Sequence, residues 1–127
     1  MSAPIQFSIP KAYVLNANQA RRMHWAKKAK NAKAIRTLGY IAGREWAREH
    51  GTFDRQMRVV IWLSFADRRD RDPVNWADTG KPAIDGLVDA GVFADDSSKY
   101  VIGPDYRLDE TGKKGYLGMR IEFMEVE

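Results

Sequence analysis

Residues 68–96 gather aspartates around one predicted helix. They precede the helix, lie on it and follow it: Asp70, Asp72, Asp78, Asp85, Asp89, Asp95 and Asp96. Carboxylates repel one another, so a chain that concentrates them at both ends of a short element needs a neutralising charge. A hard divalent cation such as Mg²⁺ supplies that charge and takes oxygen ligands. The segment is therefore a candidate metal site, of the kind used to cut or transfer phosphodiesters.

A lysine on the same predicted helix adds a second chemical group. Metal-assisted cleavage benefits from a cation that stabilises the charge developing on the phosphate. Lys81 and Asp85 are four residues apart, on one helical face, so the lysine could reach a phosphate while Asp85 steadies it or faces the metal. The aspartates before and after the helix share an ion only if their two loops converge. Taken singly, each aspartate fits a helix cap or a turn better than a catalytic role.

Charge is unevenly distributed along the chain, whose net charge is +4. Residues 1–50 contain 10 Lys and Arg against 2 Asp and Glu, whereas residues 51–127 contain 11 against 15. A basic half suits a polyanion and an acidic half suits metal ions, although ordinary solvated surfaces show both patterns. The candidates for phosphate contact are Arg21, Arg22, His24, Lys27, Lys28 and Lys30 in the first half, and Arg68, Arg69 and Arg71 beside the aspartates.

The four tryptophans divide into two groups. Trp25, Trp46 and Trp62 are predicted to be core residues, since they fall on predicted helix and strand positions. Trp76 lies in the aspartate-rich loop, where it can stack on an unpaired base or pack over the loop. His24 is a candidate phosphate contact or general base, although a lone histidine is more often neither.

Length and composition favour one soluble globular domain of 127 residues, with 44% hydrophobic and 30% charged residues. The chain has no cysteine, which excludes disulfides and thiolate zinc sites. The N-terminus lacks the pattern of a signal peptide, and the longest strongly apolar run, at 59–63, is too short to cross a bilayer. We therefore expect a cytoplasmic protein with no membrane partner.

Hydrophobic periodicity predicts a single α/β domain of order β-α-β-α-β-β, with helices packed on a mixed sheet. The predicted strands cover residues 4–9, 58–65, 100–106 and 116–125; the predicted helices cover 22–50 and 81–90, and 11–20 is a loop. The long helix has an apolar stripe of Trp25, Ala32, Ile35, Leu38, Ala42 and Trp46.

The second predicted helix has Asp78 or Thr79 as its N-cap. Its expected buried face is Ile84, Leu87 and Val88. A glycine-bearing turn at 109–115 indicates a hairpin between the last two strands.

The central residues resemble the signature of the RusA family of Holliday-junction resolvases, roughly D-x-D-N, a spacer, K, D-x-L-x-x-A-G and a closing D-D. The positions in register are Asp72, Asn75, Lys81, Asp85, Leu87, Ala90, Gly91, Asp95 and Asp96. The spacing between Asn75 and Lys81 is similar to the longer-loop branch of the family, of the phage and prophage kind. The N-terminal half also resembles the family, with a short strand, an asparagine-containing loop and a basic helix opening with His24-Trp25.

The resemblance implies a Mg²⁺-dependent homodimeric endodeoxyribonuclease, in which Mn²⁺ can replace Mg²⁺. Its partner is branched DNA: a four-way junction, resolved by paired symmetric nicks in recombination and repair. Carried over by position, Asp72 and Asp96 match the first and last metal-binding aspartates, and Lys81 matches the essential lysine. Asp85 and Asp95 match positions that flank them.

The chain departs from the signature at Val74, which stands at the second aspartate of D-x-D and cannot bind a metal. Three alternatives stay open at this point. Asp70 and Asp72 form the pair, Asp78 supplies the missing carboxylate, or the site is impaired and the protein binds junctions without cutting them. A different interpretation is a small basic α/β protein with an unrelated partner, whose aspartates are caps and turns.

Overall fold

The computed structural model describes residues 2–67, 71–95 and 97–126. The chain forms one mixed α/β domain, an open four-stranded sheet with helices packed on it. The strands are β1 (Ile5–Pro10), β2 (Met57–Ser64), β3 (Val101–Leu108) and β4 (Tyr116–Glu125). The helices are α1 (Ala17–Arg22), α2 (Trp25–His50) and α3 (Ala77–Asp89), with single 3₁₀ turns at Lys11–Tyr13 and Pro73–Trp76. The predicted α/β class is confirmed.

The strand order in the sheet is β1-β4-β2-β3. β4 runs antiparallel to both β1 and β2, whereas β2 and β3 are parallel. The predicted hairpin between the last two strands is therefore wrong, because β2 lies between them. The connection after β3 instead crosses the end of β2, where the amides of Asp109 and Gly112 donate to the carbonyls of Leu63 and Phe65, at 2.8 and 2.6 Å.

The N-terminal helical region is two helices, not the single helix predicted over 22–50. Asn16 caps α1 by accepting a hydrogen bond from the Gln19 amide at 2.9 Å, so part of the predicted loop is helical. Met23 then takes an extended conformation, and the His24 ring caps α2 by accepting from the Ala26 amide at 3.2 Å. A helix boundary therefore falls inside the basic run.

The parallel helices α2 and α3 approach closely through glycines. A Cβ at Gly86 would collide with the backbone of Arg36 and Tyr40, and a Cβ at Gly39 would collide with the Ala83 carbonyl. Only hydrogen at these positions lets the two backbones touch, which fixes α3 against the middle of α2. The glycines that weaken helix propensity in the sequence are thus packing residues.

The core fills the space between these helices and the sheet. Ile35 and Trp46 of the predicted α2 stripe are buried, as are Ile84 and Leu87 of the predicted α3 face. The prediction for Trp25 is wrong: 76% of this residue is exposed, because the first turns of α2 extend past the sheet. The remaining residues of the two predicted faces are half-buried at the margin of the core: Ala32, Leu38, Ala42 and Val88. Trp62, also predicted to be a core residue, is half-buried on the face of the sheet that points away from the helices.

Candidate functional site

A cleft of about 960 Å³ opens at one end of the sheet. β1, β2 and β3 all finish at this end and β4 begins there, since Pro10 pairs with Tyr116, Ser64 with Gly118, and Leu63 with Leu108. α3 also begins here. In α/β sheets the carboxyl ends of the strands are the common position for ligands. We call this the cleft end of the molecule.

The cleft is lined by polar, charged and aromatic side chains from four parts of the chain. The amide-bearing residues are Asn16, Asn18, Gln19 and Asn75; the charged residues are Lys11, Asp67, Arg71, Asp72 and Lys114; the aromatic residues are Phe65, Trp76 and Tyr116. Carboxylate and amide oxygens of this kind suit a hard cation, and the lysines suit an anion.

Thr79 anchors the asparagine loop of the cleft. Its buried hydroxyl accepts a hydrogen bond from the Leu15 amide at 2.8 Å and donates to the Leu15 carbonyl at 2.5 Å. The predicted N-cap role of Thr79 or Asp78 is wrong, because α3 starts four residues earlier than predicted, with Trp76 at the cap position and no side-chain cap bond. Thr79 instead ties the loop after β1 to the first turn of α3.

Asp72 lies exposed in the cleft, directly before the 3₁₀ turn that leads into α3. Its carbonyl accepts from the Asn75 amide at 3.1 Å, which starts that turn. Asp67 lines the same cleft, where it pairs with Arg71 at 2.9 Å. The Arg71 guanidinium also lies 4.0 Å from the centre of the Phe65 ring. The cleft thus brings Asp72 together with a second carboxylate and an arginine.

Lys81, Asp85 and Asp78 belong to the flank of α3 and do not line the cleft. Lys81 pairs with Asp85 at 2.8 Å, with 63% of the lysine side chain exposed. Asp78 lies beside Tyr106, where burial of the phenol, aided by the negative charge of Asp78, raises the pKa of Tyr106 to about 12. The predicted Lys81–Asp85 contact is therefore present, one turn along the helix from the cleft.

Asp95 lies at the other end of α3 from Asp72. Its carboxylate accepts from the Ser97 amide at 2.7 Å, and hydrogen bonds from Ser97 lower the pKa of Asp95 below its usual range. α3 has 13 residues, so its two ends are about 20 Å apart at 1.5 Å per residue. Within one chain, Asp72 and Asp95 cannot share an ion.

Four predicted site residues lie outside the described residues: Arg68, Arg69, Asp70 and Asp96. Among residues 2–67, 71–95 and 97–126, no three His, Asp or Glu side chains are grouped so that they could hold a metal ion. The donor chemistry of the cleft fits a hard cation, but the described residues supply only part of a ligand set.

The predicted phosphate contacts on α1 and the start of α2 are all solvent-exposed: Arg21, Arg22, His24, Lys27, Lys28 and Lys30. Trp76 is half-buried, with its ring 4.8 Å from that of Phe65. Its indole N–H is buried and has no acceptor within the described part of the chain. Trp76 is therefore a wall of the cleft and not an open platform for stacking.

Sequence reasoning missed most of the residues that line the cleft, among them Lys11, Gln19, Asp67, Lys114 and Tyr116. Lys11 follows β1 and Lys114 precedes β4, and the Lys11 amide donates to the Gly115 carbonyl at 2.9 Å. A correct pairing of the first and last strands would have brought both lysines to the aspartate-rich loop.

No family model matches the chain, and no curated protein matches it significantly. Within the described residues, no helix is both long enough and apolar enough to cross a membrane. The case for a function therefore rests on the residues and their placement.

Proposed function

We propose that this protein is a Mg²⁺-dependent endodeoxyribonuclease of the RusA type, which cuts four-way DNA junctions. The observation that carries the proposal is the position of Asp72 in a strand-end cleft with amide oxygens and cations around it. Asp72 is also the first residue of the signature that is in register in this sequence. In support of a DNA substrate, the first acidic residue of the chain is Glu45, after nine Lys and Arg.

In the proposed reaction, Asp72 holds the cation together with carboxylates that complete its ligand set. The cation, when bound, polarises the scissile phosphate and activates water. Lys11 and Lys114 bind phosphate groups at the rim of the cleft, where both are exposed. Arg71 is held by Asp67 and Phe65, so it positions the loop that carries Asp72.

The length of α3 limits which carboxylates of one chain can bind the same ion. If one ion takes ligands from Asp72 and from Asp95, those ligands come from two chains, because within one chain α3, about 20 Å long, leads from one residue's end of the molecule to the other's. A homodimer is also the assembly that paired symmetric nicks need. Otherwise Asp70, two residues before Asp72 in the sequence, supplies the second carboxylate. Asp78 is the weaker alternative, since it faces Tyr106 and not the cleft.

A second candidate function is junction binding without cutting. Val74 in place of the second aspartate favours it, and so does the lack of a three-ligand group among the described residues. The cation-rich surface serves this function equally well, because phosphate contacts require no metal. The two candidates differ only in whether a Mg²⁺-dependent product forms.

The deciding experiment incubates the purified protein with a labelled four-way junction and with a matching linear duplex, in Mg²⁺ and in EDTA. We expect paired symmetric nicks in the junction, only with Mg²⁺. In the variant Asp72→Asn we expect cutting to fall by about 100-fold or more, because a neutral amide is a poor ligand for a hard cation. Junction binding in EDTA should stay within about twofold of the parent.

Asp54→Asn is the matched control, since Asp54 is exposed and lies between α2 and β2, at the end opposite the cleft. It should cut like the parent. Cutting by Asp72→Asn at the parental rate would remove Asp72 from the mechanism. A junction that is bound but uncut by the parent in both conditions would establish the second candidate. Asp96→Asn should lose cutting as well, on the strength of the signature.

A further inference from the structure

The start of α2 projects from the body of the protein. Asn31 is buried and its side-chain amide donates to the Ala12 carbonyl at 3.3 Å, which places this residue level with the end of β1. Every residue from 24 to 30 is exposed, on all sides of the helix. At 1.5 Å per residue, these residues extend about 10 Å beyond Asn31. We call residues 24–30 the projecting tip; it stands at the cleft end.

The projecting tip combines one large aromatic side chain with unpaired cations. Trp25 is 76% exposed, and its ring lies 5.6 Å from that of its neighbour His24, with the two planes tilted by 31°. Lys27, Lys28 and Lys30 surround it, and none has an ion-pair partner within the described part of the chain. No acidic residue precedes Glu45.

A single exposed tryptophan is not unusual by itself. Here its ring is the flat apolar face of a cationic tip, where it can stack on an apolar partner. The surrounding charge selects that partner. Three lysines without counter-charges favour a polyanion, and the polyanion that also presents flat apolar faces is a nucleic acid with an interrupted base stack.

We propose that the projecting tip recognises the branch point of DNA, with Trp25 stacking on a base face that the junction exposes. In an intact duplex both faces of every internal base pair are covered, so Trp25 finds a partner only at a branch, a gap or an end. The lysines contact phosphates of any duplex, so they set affinity without selecting branches. This inference deepens the proposed function, on which its choice of substrate rests.

The test measures equilibrium binding in EDTA by fluorescence anisotropy, so that it does not depend on cutting. The probes are a labelled four-way junction and a linear duplex closed by hairpins at both ends, which exposes no terminal base face. We expect Trp25→Ala to weaken junction binding by about tenfold or more, the range measured for base–aromatic stacking, and to change duplex binding by less than about twofold. Trp25→Phe should keep most of the junction preference.

Ile41→Ala is the matched control, because Ile41 is 58% exposed on the same helix but lies outside the tip. It should bind both DNAs like the parent. Lys27→Ala with Lys28→Ala should weaken both probes alike and reduce the salt dependence. A 2-aminopurine placed beside the branch should lose fluorescence with the parent and not with Trp25→Ala.

Equal losses on both probes, no loss in Trp25→Ala, or the same loss in Ile41→Ala would each overturn the inference. The inference would also be overturned if the parent protein bound the junction no more tightly than the closed duplex. Trp25-dependent self-association with unchanged DNA binding would assign the tip to a second copy of the chain and also overturn it. A parent that prefers junctions through Trp25 yet never cuts them would support the inference and defeat the nuclease proposal. Junction cutting that is unaffected by Trp25→Ala would support the nuclease proposal and overturn the inference about Trp25.

Discussion

The two ends of the helix–sheet layer differ in the kinds of side chain that form them. At the cleft end, polar side chains and exposed cations surround open space, and the projecting tip of α2 stands beside it. At the opposite end, the rings of Trp46, Phe53, Phe93 and Phe123 close the core, with ring centres 5.1 to 5.7 Å apart. The Trp46 indole donates to the Ala3 carbonyl at 2.9 Å, so this end also holds the N-terminal strand in place.

The difference indicates that stability and chemistry are separated along one axis. Aromatic burial at the closed end supplies free energy of folding without any exposed functional group. The cleft end, by contrast, leaves polar and charged side chains in contact with solvent. Substitutions at the two ends should therefore affect different measurements.

The largest expected effect on stability is Phe93→Ala. Phe93 is 1% exposed and packs against Phe53 and Phe123, so its loss should lower the free energy of unfolding by about 3–5 kcal/mol, measured by urea denaturation. The matched aromatic at the cleft end is Tyr116, which is 39% exposed. Tyr116→Ala should cost less than about 1 kcal/mol. Equal losses of unfolding free energy in the two variants would contradict the proposed separation of stability and chemistry between the two ends.

The anchor of the cleft end is tested by Thr79→Val, which keeps the shape of the side chain but removes both hydrogen bonds to Leu15. Because a buried amide and carbonyl lose their partner, the free energy of unfolding should fall by about 1–3 kcal/mol. Junction binding should weaken too, since the asparagine loop of the cleft loses its anchor. Thr37→Val, at an exposed threonine bonded to Lys33, is the control and should change stability by less than about 0.5 kcal/mol.

The smallest effect is expected at the surface contact between α2 and α3, where Arg36 forms two hydrogen bonds to Asp89, at 2.6 and 2.9 Å. Both side chains are well exposed, so Arg36→Ala should cost less than about 1 kcal/mol at neutral pH. The hydrogen bond from Arg36 lowers the pKa of Asp89. The pair therefore stabilises the fold above the unfolded-state pKa, about 3.9, and that contribution is lost as pH falls through the folded-state value.

The check is the difference in melting temperature between parent and Arg36→Ala, at pH 7 and near pH 2. The difference should shrink at the lower pH. Arg48→Ala, at an exposed arginine on the same helix, should show no such pH dependence. If the difference in melting temperature between the parent and Arg36→Ala persisted near pH 2, Arg36 would act by packing and not through Asp89.

Local patterns predicted the elements well where one face is buried. β4 matches its predicted bounds and β2 is displaced by one residue, since alternation of apolar residues fixes a half-buried strand. The boundary between α1 and α2 was missed, although Asn16 carries a capping signal in the sequence. The predicted hairpin was wrong because turn residues indicate that the chain reverses direction but do not indicate which strand the next segment pairs with.

For the candidate site, the residue types were readable but their grouping was not. Asp72 and the basic residues at the start of α2 were predicted as functional residues, and the structure places them at the same end of the molecule. Lys11, Lys114 and Tyr116 were missed because they join the cleft only through the pairing of β1 with β4. Trp25 was misassigned because helical periodicity does not tell where the sheet beneath a helix ends.

The sequence by itself determined the α/β class, the asymmetry of charge and the set of chemically capable residues, because these depend on composition and short-range periodicity. Only the tertiary structure decided which of those residues meet. The strand order brought the lysines that flank β1 and β4 into the cleft with Asp72, whereas α3, about 20 Å long, placed Asp72 and Asp95 at its opposite ends. Long-range strand pairing and helix length, which no local pattern encodes together, set the site.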